Sequence, residues 1–441
     1  GNSPYAGLSA FAGNPALISP ERLIEDGLLT EADVAQAPTF PERRVDYAAA
    51  GAWKMRLLTD ACGRFMEQPH HPLRAEYDEF WAQSAGWLDD FTLFMALKEA
   101  HEQRSWVEWP RCYAQRQPQA LAEARRALAG PITLHRFAQF IFFRQWARTR
   151  EEAARRGVRI IGDLAIFVAH DSADVWSHPE DYFLREDCQP EVVAGVPPDY
   201  FSKTGQRWGN PLYRWDALRE RGYRWWIDRV RQALRVYDII RLDHFRGFES
   251  YWEIPGDAPD AVQGAWKPGP GADLFQAIRG ELGDVPFIAE DLGVITPEVR
   301  ALQHALGFPG MRVLQFGFSG AARNHDLPHN YTSNAVVYTG THDNDTTRGW
   351  FATRKGHERA YALEYLDCEP EDVVWAMIRA AYASVARMAI VPLQDVLDLG
   401  SEARMNYPSQ PDGNWEWRFA EDDLTPAHAR RLRKLAELYG R

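Results

Sequence analysis

Asp243 closes a short apolar run, Ile239-Ile-Arg-Leu, and His244, Arg246 and Gly247 come directly after it. Such a run reads as a buried parallel strand, and the C-terminal ends of such strands are where an α/β barrel keeps its chemistry. Arg241 stands two residues before Asp243, so on a strand both side chains share a face. A guanidinium beside a carboxylate favours the ionised form. An ionised, held carboxylate is a candidate nucleophile. Taken alone, the pair reads as readily as a structural ion link. The pattern recurs, however. The runs 158–163, 285–290, 335–343 and 388–395 end in Asp163, Glu290, His342-Asp343 and Asp395, with Asp291 directly after Glu290. In a parallel barrel these ends open onto one face. Several carboxylates there, without metal-ligand spacing around them, point to acid/base and nucleophilic work on a sugar bond.

Composition narrows the field. A net charge of −12 with no basic stripe excludes a nucleic-acid partner. Seventeen Trp and 13% aromatic residues suit a carbohydrate ligand, whose apolar face stacks on rings. The four cysteines are scattered without a CxxC pair, which predicts reduced structural thiols, no metal site and a cytoplasmic setting. No apolar run of membrane-spanning length occurs. No GxSxG elbow occurs, which disfavours Ser/His/Asp hydrolysis.

Ahead of the first strand-end acid lie a loop and a helical stretch. Residues 1–18 read as turn chemistry interleaved with Tyr5 and Phe11. Residues 19–130 carry amphipathic helical spacing broken by Pro clusters, an inserted helical subdomain. Residues 131–441 alternate helix and strand, which predicts a parallel sheet. Within them, 164–214 is a long loop, hinged by Gly and Pro and rich in aromatics, suited to a lid or acceptor loop. Strands are expected from 158, 239, 285, 311, 335 and 388. That is six, where a closed barrel of this type has eight.

Seven stretches, SPYAGLSAFAGNP, GDLAIFVAHDSADVW, GVPPDYFSKTGQRWGNPLY, IIRLDHFRGFESYWEIP, IAEDLGVITPEV, YTGTHDNDTTRGW and ARMNYPSQPDGNWEWR, span nearly the whole chain. On these the chain resembles the amylomaltase, or disproportionating enzyme, family of 4-alpha-glucanotransferases, related to the α-amylase superfamily. The resemblance implies a (β/α)8 barrel with helical insertions. Members carry about fifty further residues ahead of the SPY motif, which supply the first two strands of the eight. Six of eight strands are therefore expected here.

The resemblance implies a retaining transfer of α-1,4-glucan segments with Asp243 as nucleophile, Glu290 as general acid/base and Asp343 holding the donor glucose and stabilising the transition state. Arg241 and His342 would support them, and Asp163 matches the acid of the third barrel strand. Gln206 and Trp208 would shape donor and acceptor sites from the mobile loop, with Phe316 as an acceptor platform. Tyr5, Ser9 and Asn14 would line the donor side. No cofactor or metal is implied. The expected partners are maltooligosaccharides, amylose or glycogen-derived glucans, bound by a cytoplasmic monomer. Two alternatives stand beside this: a glucan hydrolase using the same acids, and a non-catalytic glucan-binding remnant.

Overall fold

Every apolar run that ends in an acid forms a strand in the computed structural model, which describes residues 2–198, 202–408, 410 and 412–441. The chain divides into two units. One comprises residues 4–39 and 47–286, the other 1–3, 40–46 and 287–441.

The larger unit holds β1 (Ile161–Ala165), β2 (Val192–Val196), β3 (Gln206–Pro211), β4 (Ile239–Asp243), β5 (Ser250–Pro255) and β6 (Ala265–Pro268). β1 and β4 pair in parallel, with Asp163 opposite Arg241 and Ala165 opposite Asp243. β3, β2, β5 and β6 form a separate antiparallel sheet. The segment 164–214, expected as a loop, thus contributes two paired strands. Asp199, Tyr200 and Phe201 within it lie outside the described residues. The expected helical stretch holds the long helices Tyr47–Glu67 and Arg74–Ala100. They pack on Ala129–Arg155 through a ring cluster of Phe65, Tyr77, Phe80, Phe137 and Phe140, with neighbouring centroids 5.3 to 6.4 Å apart. Trp146 and Arg150 of that helix donate to the carbonyls of Val236 and Leu234, joining it to the helix Arg224–Val236.

The smaller unit holds β7 (Phe287–Ala289), β8 (Gly310–Val313), β9 (Ala335–Tyr338) and β10 (Met388–Ile390), paired in parallel in that order. All six expected strands are therefore present, two in one unit and four in the other. In β4, β7, β8 and β9 the core positions are apolar and almost fully buried, Ile240, Ile288, Met311 and Val337 among them, as a two-sided parallel sheet requires, whereas β10 is only partly buried. The helix Val373–Ala383 brings Val374, Met377 and Ile378 into one buried cluster with Ala335 and Val337 of β9. No helix among the described residues is long and apolar enough to cross a membrane.

Candidate active site

β4 ends on Asp243, and alternation sets Arg241 and Asp243 on one face. The register brings Asp163 of β1 opposite Arg241. One guanidinium nitrogen, Arg241 Nη1, lies 2.5 Å from Asp163 Oδ2 and 3.1 Å from Asp243 Oδ1. Arg241 is buried, so its charge is desolvated and needs both partners. The Tyr5 hydroxyl donates to the same Asp163 Oδ2 at 2.6 Å. Burial, then the charges of Asp163 and Asp243, push the Tyr5 phenol far above its ordinary value. It is a donor at any working pH. Tyr5, Asp163, Arg241 and Asp243 thus form one continuous polar chain.

Beyond Asp243 the backbone bends sharply. His244 takes left-handed angles, φ 52° and ψ 50°, which turns the chain into the short helix Phe245–Phe248. Burial and the Arg246 charge lower the His244 imidazole to about 4, so it is neutral at pH 7. Trp208 of β3 sets its indole edge-on to His244, 4.8 Å between centroids. Its Nε1 donates to Gln206 Oε1 at 3.1 Å. Trp208 is still 38% exposed.

Glu290 lies directly after β7, half-buried, and accepts from the Leu292 amide at 2.9 Å. Its neighbour Asp291 points into the core instead. It accepts from Met311 N at 2.6 Å and lies 3.3 Å from Arg312, bracing β8. Asp343 sits in the turn after β9, and its Oδ1 accepts from Asn406 Nδ2 at 2.6 Å. Arg404 Nη2 donates to the Asp343 carbonyl at 2.7 Å. His342 Nε2 lies 3.6 Å from Asp343 Oδ2, and its ring packs 5.3 Å from Trp415. A cavity of about 330 Å³ opens beside this group, lined by Asn2, Ser3, Asn406, Tyr407, Asn414 and Trp415 among others. Ser409 and Pro411 of the same loop lie outside the described residues.

Some expected site residues have local employment. Ser9 Oγ accepts from the Phe11 and Ala12 amides, and Asn14 Oδ1 caps the turn Pro15–Leu17 through Ala16 N. Phe316 leaves the strand, sits in the helical turn Leu314–Phe316 and is 47% exposed, unlike a core Phe. Asp395, which the sequence pattern groups with the strand-end acids, is 1% exposed and spent on structure. It lies in the helix Leu393–Val396 and accepts from Thr339 Oγ1, Thr347 N and Thr347 Oγ1 at 2.6 to 2.7 Å. Arg404, Asn406 and Trp415, not among the expected residues, hold Asp343 and His342. Their signal was a loop dense in amides and indoles, Asn406-Tyr and Asn414-Trp-Glu-Trp.

A family model described as 4-alpha-glucanotransferase matches residues 1–425. The chain is 52% identical over 445 residues to the 4-alpha-glucanotransferase of Thermus thermophilus, covering 99% of this chain and 88% of that protein. It is 48% identical to that of Synechocystis sp., covering 100% of this chain and 88% of that protein. The solved amylomaltase from Streptococcus agalactiae in complex with acarbose matches with a TM-score of 0.96 at 39% identity, over 100% of this chain and 89% of that one. Six parallel strands on an amylomaltase-like α/β scaffold, and likeness of this extent, place the chain in the 4-alpha-glucanotransferase family, glycoside hydrolase family 77.

Proposed function

We propose that the chain is a retaining transferase that moves α-1,4-glucan segments between maltooligosaccharides through a covalent glucosyl-enzyme. The observation that carries this is the single Arg241 guanidinium shared by Asp163 and Asp243 at the end of β4. It keeps a carboxylate ionised and aimed, as a nucleophile must be. Glu290 protonates the leaving glycosidic oxygen while Asp243 attacks the anomeric carbon. The leaving glucan departs with that proton. The Glu290 carboxylate then takes the proton of an acceptor 4-hydroxyl, whose oxygen displaces Asp243 and restores the α-linkage. Asp343, steadied by Asn406, holds donor hydroxyls and offsets the developing positive charge. His342 supports it, and Asp163 and Tyr5 bound the donor side with Ser9 and Asn14.

Transfer outruns hydrolysis where an acceptor is held and water is kept out. The exposed rings of Trp208 and Phe316 support that role, with Gln206 shaping the Trp208 side. In this reading 1–18 is an active-site loop, 19–130 a helical insertion and 131–441 the barrel, with 164–214 as lid. The substrates are maltooligosaccharides, amylose or glycogen-derived glucans, taken by a monomer. Four unpaired cysteines suit a reducing, cytoplasmic setting.

Incubation with maltotriose is the test. Glucose together with a ladder of longer chains is expected, and products no longer than the substrate would leave a hydrolase. Asp243→Asn and Glu290→Gln are each expected to lose at least ~10³-fold in rate, as when one member of a catalytic set is removed.

A further inference from the structure

Tyr5 reaches Asp163 from a single helical turn, Pro4–Ala6, too short to hold itself in place, so the chain that follows must fix its reach. The loop from residue 8 to residue 13 is held by buried side chains of three helices and by one backbone amide. Ala173 N donates to the Leu8 carbonyl at 2.8 Å, and Asp174 Oδ2 accepts from Ala10 N at 2.7 Å. Gln232 Nε2 donates to the Phe11 carbonyl at 3.1 Å. Gln139 pairs with Gly13 in both directions. Its Oε1 accepts from Gly13 N at 2.8 Å and its Nε2 donates to Gly13 O at 2.9 Å. A Cβ on Gly13 would stand 1.9 Å from the Phe142 ring, so the loop lies flat against the helix Ala129–Arg155. Asp174, Gln139 and Gln232 are at most 6% exposed.

These helices are not arbitrary anchors. Ala129–Arg155 runs into β1, which bears Asp163, and Arg224–Val236 runs into β4, which bears Arg241 and Asp243. Asp174 belongs to the short helix Ala173–Ser177 that comes after β1. The frame that carries the acids therefore also sets the loop that carries Tyr5.

Resting on the transferase reading, we propose that Asp174 and Gln139 are positioning residues: they fix the loop so that the Tyr5 hydroxyl lands on Asp163 and leaves Arg241 shared with Asp243. Without that donor, Asp163 draws more of the Arg241 guanidinium to itself, and Asp243 loses alignment. Neither residue touches the sugar. The effect belongs on kcat, because misplacement of a reacting group by about 1 Å can cost up to ~10²-fold.

The test uses the full chain with 13Cζ-labelled tyrosine, the Tyr5 resonance being assigned by its loss in Tyr5→Phe. Asp174→Ala is expected to shift that resonance and to lower kcat on maltotriose by ~10- to ~100-fold with KM little changed. Asp174→Asn, whose amide oxygen accepts the same Ala10 N–H, is expected to restore most of the rate. Adding Tyr5→Phe to Asp174→Ala should cost little beyond Tyr5→Phe alone, the signature of two residues acting through one contact. Gln139→Ala should move rate and resonance the same way, and it serves if Asp174→Ala does not fold. An unmoved Tyr5 resonance overturns the proposal, as does a lowered melting temperature with unchanged kcat, or losses that multiply in the double variant. An inactive parent protein would sink the transferase reading, and the resonance would still decide the positioning claim.

Discussion

At the level of single residues, charge and exposure separate the groups proposed to work on the sugar from the structural ones. Asp163 and Asp243 share the Arg241 cation and keep part of their surface open, whereas Asp291 and Asp395 are buried and satisfy backbone N–H donors, Asp291 with Arg312 beside it. Phe316 is expected as an acceptor platform, although a Phe ending an apolar run ordinarily belongs to the core. Its 47% exposure argues for a ring kept outside for a ligand. Phe316→Ala is expected to raise the KM for the acceptor sugar about fivefold, ~1 kcal/mol of ring-face contact. Glucose release by water should rise relative to transfer. Product ladders at varied acceptor concentration measure both.

His244 gives a pH prediction. Its native imidazole titrates near 4, against about 6.5 in an unfolded chain. Between these values the unfolded chain binds a proton that the native state refuses. Stability is therefore held above pH 6.5 and falls as the pH drops toward 4, by on the order of 3 kcal/mol over the window. His244→Asn tolerates the left-handed backbone and does not titrate there. Urea unfolding at pH 7 and pH 4.5 should show a larger loss in the parent than in the variant. Equal losses would assign the acid sensitivity to other groups.

Elements were unevenly legible. Five of the six parallel strands stood out because each belongs to a short apolar run closed by an acid, and the sixth, β8, showed as an apolar run without one. The antiparallel sheet was hidden. β3 reads Gln-Arg-Trp-Gly-Asn-Pro and β6 reads Ala-Trp-Lys-Pro, with neither an apolar run nor strict alternation. Those strands exist through pairing with β2 and β5, which local sequence does not encode. Asp395 misled for a related reason, since its donors Thr339 and Thr347 lie about fifty residues away along the chain. The sheet matters because β3 presents Gln206 and Trp208. A Cβ on Gly195 of β2 would stand 2.1 Å from the Gln206 carbonyl and 2.5 Å from Ile254. Gly195→Ala must therefore push β3 away, at a cost of about 1–3 kcal/mol. Thermal melting should register that cost. The acceptor KM should rise as Trp208 shifts, while Gly51→Ala, on an open helix position with nothing within 4 Å, should change neither.

For the molecule as a whole, two units with separate cores predict more than one unfolding event. One core is the ring cluster around Phe65 and Phe140. The other is built from Val337, Trp350, Val374, Met377 and Ile378. Chains of this kind depart from two-state behaviour, so scanning calorimetry is expected to resolve two overlapping transitions. Substitutions assign them. Asp395→Ala strips the acceptor from Thr339 and Thr347 and leaves buried donors unmet, about 1–3 kcal/mol for each. It should lower one transition and spare the other. Phe140→Ala opens a cavity in the opposite core at about 3–5 kcal/mol, and should lower the transition that Asp395→Ala spares. If each variant lowers a single merged transition, the two cores melt cooperatively and the expectation of two separate events fails.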